Sequence, residues 1–279
     1  MKKRNVATVF IYIALCLWAL TTIYPFVWVI LNSFKPSNEI LSNSFSIPLG
    51  IHFTFANYDK AFHLDYSILN AYKNSLLIST SVVIGTLFIS VLAAFAMARY
   101  NFFGKKFFYF IMIACMMFPI FAIIFPLLDV VNKMHLSNNL LGVILPQIAG
   151  NIAFTTILLT GFIQSLPIEV EESAYLDGAN VFQVIWHLIV PMSKSSFATA
   201  SIFVFLWSYN DLFLQRLVLT KKSMMPICAL LSEITTKEFG TDYGLMTAVV
   251  TLISVPVLIV YFFLQKHIIK GLTAGAVKG

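Results

Sequence analysis

Six apolar stretches of spanning length dominate this sequence and set its fold class: about 9–31, 76–98, 107–128, 140–163, 197–219 and 244–264. A helix needs roughly 20 residues to cross a bilayer, and each stretch meets that length. Five of the six contain no Asp, Glu, Lys or Arg. Lipid offers no partner for a free backbone N–H or C=O, so segments this apolar must close their hydrogen bonds internally, as helices. With 59% hydrophobic and 11% charged residues, a chain of 279 residues has too little polar surface to solvate a globule. The sequence therefore reads as an all-α polytopic membrane protein with six transmembrane helices in a single domain over 1–279.

The first stretch follows Met1-Lys2-Lys3-Arg4. It is longer than the apolar core of a secretory signal and no small-x-small cleavage site follows, so it reads as a retained anchor. Lys2, Lys3 and Arg4, then Arg99, Lys105 and Lys106, then Lys266, Lys270 and Lys278 fall on one side if there are six crossings, which places both termini in the cytoplasm. The 164–196 connector falls on that side as well, and so does a tail over 265–279. Three connectors are expected outside: 32–75, 129–139 and 220–243. The longest, 32–75, carries turn formers and aromatics without a strong period and reads as a small packed loop.

The net charge of +6 does not imply nucleic acid, because the basic residues lie at membrane edges where the positive-inside bias accounts for them. Cys16, Cys115 and Cys228 are too scattered for a metal site. No phosphate-cradling loop, zinc-protease helix or nucleophile elbow occurs, so no catalytic residue is assigned. The chain is not expected to carry out bond chemistry of its own.

Polar residues inside the spans carry the next layer. Gln147, Asn151 and Thr155 recur every four residues on the fourth span, and Thr247, Thr251 and Ser254 share a face on the sixth. Such stripes serve interhelical hydrogen bonding, a solute path, or both. The fifth span holds Trp207, Tyr209, Asn210, Asp211, Gln215 and Arg216, and an ionisable group at that depth is a functional candidate by default. Asp211 and Arg216 are five residues apart, about 140° around an ideal helix, so a direct pair is poorly set up. Asn151, Tyr209, Asn210 and Asp211 are the candidates for a path lined by amides and aromatic faces.

The 164–196 connector is the one long polar passage between spans on the cytoplasmic side. Glu169, Glu171 and Glu172 enrich the first turn of a helix, where the macrodipole favours anions. Gly178 is placed to close that helix with a left-handed cap. Beyond it Phe182, Ile185 and Ile189 share one face with Val181, Val184 and Leu188 beside it, and Pro191 follows. Two short helices around a Gly turn are expected over 168–190. An apolar face this wide calls for a protein partner or the membrane boundary to cover it.

The pattern Glu172-Ser173-Ala174, then Asp177-Gly178-Ala179, then Pro191, resembles the signature loop of the membrane subunits of bacterial ATP-binding cassette importers. The likeness extends to Ser33-Phe34-Lys35-Pro36, Pro119, Pro126-Leu127, Leu136-Ser137-Asn138-Asn139, Gly142-Val143-Ile144-Leu145-Pro146 and Asn210-Asp211. The ending Gly271-Leu272-Thr273-Ala274-Gly275-Ala276-Val277-Lys278-Gly279 resembles the shorter, six-helix permease subunit of maltose-type sugar importers. That resemblance implies a bacterial inner (plasma) membrane protein that pairs with a second homologous permease subunit. It further implies two ATPase subunits, which carry ATP and Mg, and an extracytoplasmic sugar-binding protein. No cofactor is expected on this chain. Glu172, Ser173, Ala174, Asp177, Gly178, Ala179 and Pro191 would then couple to the ATPase.

Departures from the family pattern are Ser173 for Ala, Ser195 for Pro, and Gln215 where Pro often stands, the last predicting a straighter outer end of the fifth helix. Two alternatives are an importer of this type for peptides, amino acids or metal ions, and an ion-gradient carrier. The second fits less well, because the halves are not visibly alike and only one span holds charge.

Overall fold

The computed structural model describes residues 6–64, 67–229, 232 and 242–276, with side chains beyond 262 outside that description. All regular structure among the described residues is helical. In chain order the helices are α1 (Val6–Ser33), α2 (Ser37–Ser42), α3 (Ala56–Phe62), α4 (Ile68–Arg99), α5 (Lys105–Met117), α6 (Ile120–Lys133), α7 (Leu141–Ile163) and α8 (Glu169–Leu176). They continue as α9 (Val181–Met192), α10 (Lys194–Tyr209), α11 (Leu212–Val218) and α12 (Tyr243–Ala276).

Among the described residues three helices are long and apolar enough to cross a membrane singly: α1 over Thr8–Ser33, α4 and α7, with 26, 32 and 23 residues. At about 1.5 Å per residue α4 is about 48 Å long, so it runs beyond a hydrocarbon core of about 30 Å. The expected span 107–128 is not one helix: α5 and α6 meet at a 102° bend. Phe118 precedes Pro119, whose ring forces the preceding residue out of the α region. Phe118 accordingly sits at φ −77°, ψ 123°, and α5 stops there.

The fifth span differs as well. Helix α10 ends at Tyr209 and Asp211 turns extended (φ −73°, ψ 94°) before α11, so the straight outer end predicted from Gln215 is overturned. Asp211 Oδ1 accepts from the Leu214 N–H at 3.1 Å, a capping bond that a continuous helix would not offer. The sixth stretch lies within α12, whose backbone is helical through Ala276, while residues 277–279 of the expected tail lie outside the described residues.

The chain forms two compact units, Met1–Ile68 with Leu230–Pro256 and Leu69–Ala229 with Val257–Gly279. In the first, the expected loop over 32–75 supplies α2, α3 and an aromatic cluster in which Phe34 stacks on Phe53 at 5.1 Å, with Phe55 and Tyr58 against the same ring. Asn57 Nδ2 donates to the Ser33 and Lys35 carbonyls at 2.8 and 2.7 Å, satisfying the end of α1. A Cβ at position 244 would stand 2.5 Å from Asn57 Oδ1, so a larger residue there would push aside the amide that holds the end of α1.

Lys35 is fully buried and donates to the Asn43 and Ser44 carbonyls. Burial lowers its pKa from the ordinary lysine value, partly offset by Glu39. Asp242 accepts from the Ser37 hydroxyl and from the Leu245 N–H at 3.0 Å, capping α12, and pairs with Lys60 at 2.9 Å. Burial pushes the Asp242 carboxyl up, but those donors outweigh it and hold the pKa below the ordinary value.

Among the described residues, the second unit holds two apolar cores. Ile78 and Val82 of α4, Ile124 and Val131 of α6, Val143 and Ile144 of α7, Val204 of α10 and Leu214 and Val218 of α11 make one. Val91, Ala94 and Phe95 of α4, Leu159 and Ile163 of α7 and Val184, Ile185 and Ile189 of α9 make the other. The wide apolar face of α9 is thus covered largely by this chain's own α4 and α7. That corrects the expectation that it needs an outside partner; Phe182 alone on that face remains mostly exposed, at 64%.

Candidate functional site

The turn between α8 and α9 is built from hydrogen bonds that the sequence pattern dictates. The Gly178 N–H donates to the Tyr175 carbonyl at 3.1 Å and the Ala179 N–H to the Ala174 carbonyl at 2.9 Å. These are the two bonds of a Schellman cap, with Gly178 at the left-handed position, φ 86°. Ala174 and Ala179 occupy the two positions whose side chains meet across such a cap, which accounts for small residues at both. Asn180 then starts α9 with a capping box: its Oδ1 accepts from the Gln183 N–H at 3.0 Å and the Gln183 Oε1 accepts from its own N–H at 2.8 Å.

A shallow cleft of about 440 Å³ opens beside the turn, lined by Asp177, Gly178, Gln183 and His187 among others. Leu176 stands out at its tip, 89% exposed. The middle of α9, Val184–Ile189, is wound as a wider π turn immediately before Pro191, whose missing N–H denies α-helical winding its usual donor there.

Of the coupling candidates, Glu172 and Ser173 lie exposed on α8, Ala174 is half-buried against α9, Asp177, Gly178 and Ala179 form the turn, and Pro191 is exposed within α9. Ser173 Oγ donates to the Glu169 carbonyl at 2.8 Å. The neighbouring Glu171 behaves differently. It is buried, and its Oε1 accepts from Arg99 Nε at 2.8 Å and from Arg99 NH2 at 2.5 Å, while the same NH2 group donates to the Leu166 carbonyl at 3.2 Å. The sequence used Arg99 only as a topology marker. A hint was present in the four acidic groups of the 164–196 connector, set against Lys194 as its one lysine or arginine.

A second polar cluster occupies the break between α10 and α11. Gln147 Nε2 of α7 donates to Asp211 Oδ2 at 2.8 Å, Ser208 Oγ donates to Gln147 Oε1 at 2.6 Å, and Gln215 Nε2 donates to the Ser208 carbonyl at 2.6 Å. Asn151 is buried one turn away, donating to the Gln147 carbonyl at 2.7 Å. Tyr209 is fully buried with its ring stacked on Phe205, whereas Asn210 is exposed and donates to the Leu206 carbonyl. The structure therefore brings Asn151 and Asp211 together through Gln147, which sequence reasoning placed on the same stripe as Asn151 but did not connect to Asp211. It also places Trp207, half-exposed, in an aromatic group with Phe154 at 4.9 Å and Phe203 at 6.1 Å, on the same side of α10 as Asn210. Among the described residues no group of three or more His, Cys, Asp or Glu is placed to hold a metal ion.

An all-helical chain with several apolar membrane helices, polar residues turned inward, and a Gly-capped helix pair standing out between two of its spans is a multi-pass membrane transport component. Residues 86–274 match the family described as "Binding-protein-dependent transport system inner membrane component", and the chain belongs to that family. It is 32% identical over 94% of its length to the diacetylchitobiose uptake system permease protein of Streptomyces coelicolor, covering 86% of that protein. It is 30% identical over 99% of its length to the galactooligosaccharides transport system permease protein of Bacillus subtilis, covering 98% of it. Among solved structures, a bacterial ABC transporter involved in the import of the acidic polysaccharide alginate shares the fold, with a TM-score of 0.82 at 22% identity, over 95% of this chain and 98% of that one.

Proposed function

We propose that this chain is the permease subunit of an ATP-driven importer of sugars or oligosaccharides. It crosses the membrane six times with both termini cytoplasmic, α5 with α6 serving as one broken crossing and α10 with α11 as another. A second homologous permease subunit completes the path, an extracytoplasmic binding protein delivers the sugar, and two ATPase subunits bind ATP and Mg. The observation that carries the coupling role is the α8–Gly178–α9 turn, whose apolar tip, Leu176 with Phe182, is exposed while Val184, Ile185 and Ile189 behind it are packed inside the chain. Such a tip fits a groove on a partner protein. Glu172, Ser173, Ala174, Asp177, Gly178, Ala179 and Pro191 form or support it.

The candidate path residues divide by position. Asn210 and the neighbouring Trp207 present an amide and an aromatic face at the surface of this chain, the two groups that hydroxyl-rich solutes engage. Asn151, Tyr209 and Asp211 stand behind them and shape the α10–α11 break. The sugar assignment rests on relatives named for diacetylchitobiose and galactooligosaccharides, and on another named for trehalose in Mycobacterium tuberculosis. The test is uptake of labelled diacetylchitobiose, galactotriose and trehalose by cells with the gene deleted and restored. Restored uptake of one of them is expected; identical uptake of all three in both strains would overturn the sugar reading. Topology is tested separately by a membrane-impermeant thiol label, which should reach a cysteine at Lys60 from outside and not one at Lys105.

A further inference from the structure

Between the end of α4 and the start of α8 lies a charged junction that the coupling signature does not include. Arg99 and Glu171 are 72 positions apart in sequence and nearly buried, their side chains 11% and 5% exposed. Arg99 grips at two points: Nε and NH2 both donate to the same Glu171 oxygen, and NH2 also holds the Leu166 carbonyl in the connector that leads into α8. A lysine, a single ammonium on a flexible stem, cannot reproduce that planar fork.

Further along, Phe88 of α4 stacks on Trp186 of α9 at 5.8 Å, and Val91, Ala94 and Phe95 of α4 pack against Val184, Ile185 and Ile189. The docking turn is therefore fixed to α4 along the length of α9 by packing, and at its entry by a directional ion pair. Packing alone permits sliding, because dispersion contacts have no strong preferred direction. A guanidinium fork does not.

We propose that Arg99 is a positioning residue for energy coupling: its hold on Glu171 and Leu166 makes α8, α9 and α4 a single lever, so that displacement of the docking turn by the ATPase is delivered to α4 instead of being absorbed in the 164–168 connector. The proposal rests on the importer reading above. It assigns to α4 the role of the membrane helix that moves with the turn.

The complete transporter, with its ATPase subunits, is the object tested. Spin labels at Val170 on α8 and Ile84 on α4, in a background lacking Cys16, Cys115 and Cys228, report whether the two helices move together. In the wild type their distance distribution should be the same with and without a non-hydrolysable ATP analogue. In the double variant Arg99→Gln with Glu171→Gln, which leaves no buried charge unpaired, binding of the analogue should broaden or shift it. A wild-type distance that changes on analogue binding, or a double variant that stays as rigid as the wild type, overturns the lever. This readout needs no sugar, so its failure is distinct from a failure of the sugar assignment.

With the sugar that the uptake panel identifies, transport per ATP hydrolysed should fall about tenfold or more in the double variant, with hydrolysis retained, and less in Arg99→Lys, which keeps the charge without the fork. Uptake and hydrolysis falling in proportion, in a complex that still assembles, would reduce the pair to an ordinary structural contact and overturn the proposal.

Discussion

Glu171 and Asp211 are carboxylates of the same compact unit, each tucked against a helix other than its own, yet they are held by different chemistry. Glu171 meets a guanidinium that donates to it from two nitrogens. Asp211 meets a neutral amide, Gln147, and the N–H groups of the helix it starts. An ion pair of the first kind joins two elements rigidly, and removing one partner leaves the other charge stranded. A carboxylate held by amides and a helix start spreads its charge over weaker donors, and in return it fixes a bend in the backbone. In this molecule the first arrangement ties the start of α8 to the end of α4, and the second stands where a helix breaks.

Removing Glu171 should be the more damaging change. Glu171→Ala strands Arg99 in a nearly buried site and should cost about 3–5 kcal/mol. Asp211→Ala removes a cap and the acceptor of Gln147, and should cost about 1–3 kcal/mol. Both are read by denaturation of the purified protein in detergent; an equal or reversed order would break the comparison.

Gly178→Val is expected next in stability and first in function. A Cβ there meets nothing within 4 Å, so the penalty is purely the positive φ of 86°, about 1–2 kcal/mol or somewhat more for a β-branched residue. Uptake should nevertheless be lost while the protein remains inserted, because the turn proposed to dock on the ATPase is reshaped. Gly178→Asn, which tolerates the left-handed region, should retain much more uptake, and a pair of variants with equal activity would argue that the cap is dispensable.

Asp242, in the other unit, extends the comparison to a partly exposed carboxylate with mixed donors. Its pKa is depressed in the folded protein, so its contribution is present above the ordinary value of 3.8 and is lost as the pH falls through the depressed value. Proteolysis within 37–62 should therefore increase below about pH 4 in the wild type. Asp242→Asn should show the increased cleavage at neutral pH and little further change in acid. Smallest of all is Ser173→Ala. The hydroxyl of this exposed residue bonds to the Glu169 carbonyl of its own helix, and stability should change by less than about 0.5 kcal/mol.

These two carboxylates also mark how far sequence reading reaches. The apolar runs announce α1, α4 and α7 because periodicity and length are local properties, and the Glu-rich start, Gly178 and the spaced alanines announce the turn because a Schellman cap is local too. The 102° bend at Phe118–Pro119 has a local signal, the proline, that was outweighed by the length of the apolar run around it. The break at Asp211 was misjudged because absence of proline was read as continuity, whereas the carboxylate's capping bond and its Gln147 partner decide the matter, and Gln147 is 64 residues away. The Arg99–Glu171 pair could not be read at all from spacing. The last residue of α4 and a first-turn residue of α8 become neighbours only when α4 and α7 lie side by side.

Helix α1 offers a different kind of consequence. None of the residues in its most apolar window is buried by the rest of the chain, although it is amply long enough to cross a bilayer. Within its own unit only the last turn of α1 is held, by Asn57 and the loop that follows it, so the flank before that turn is a surface suited to lipid. Substitutions along that flank would then answer to lipid, or to whatever protein lies alongside, and not to packing within the unit to which α1 belongs.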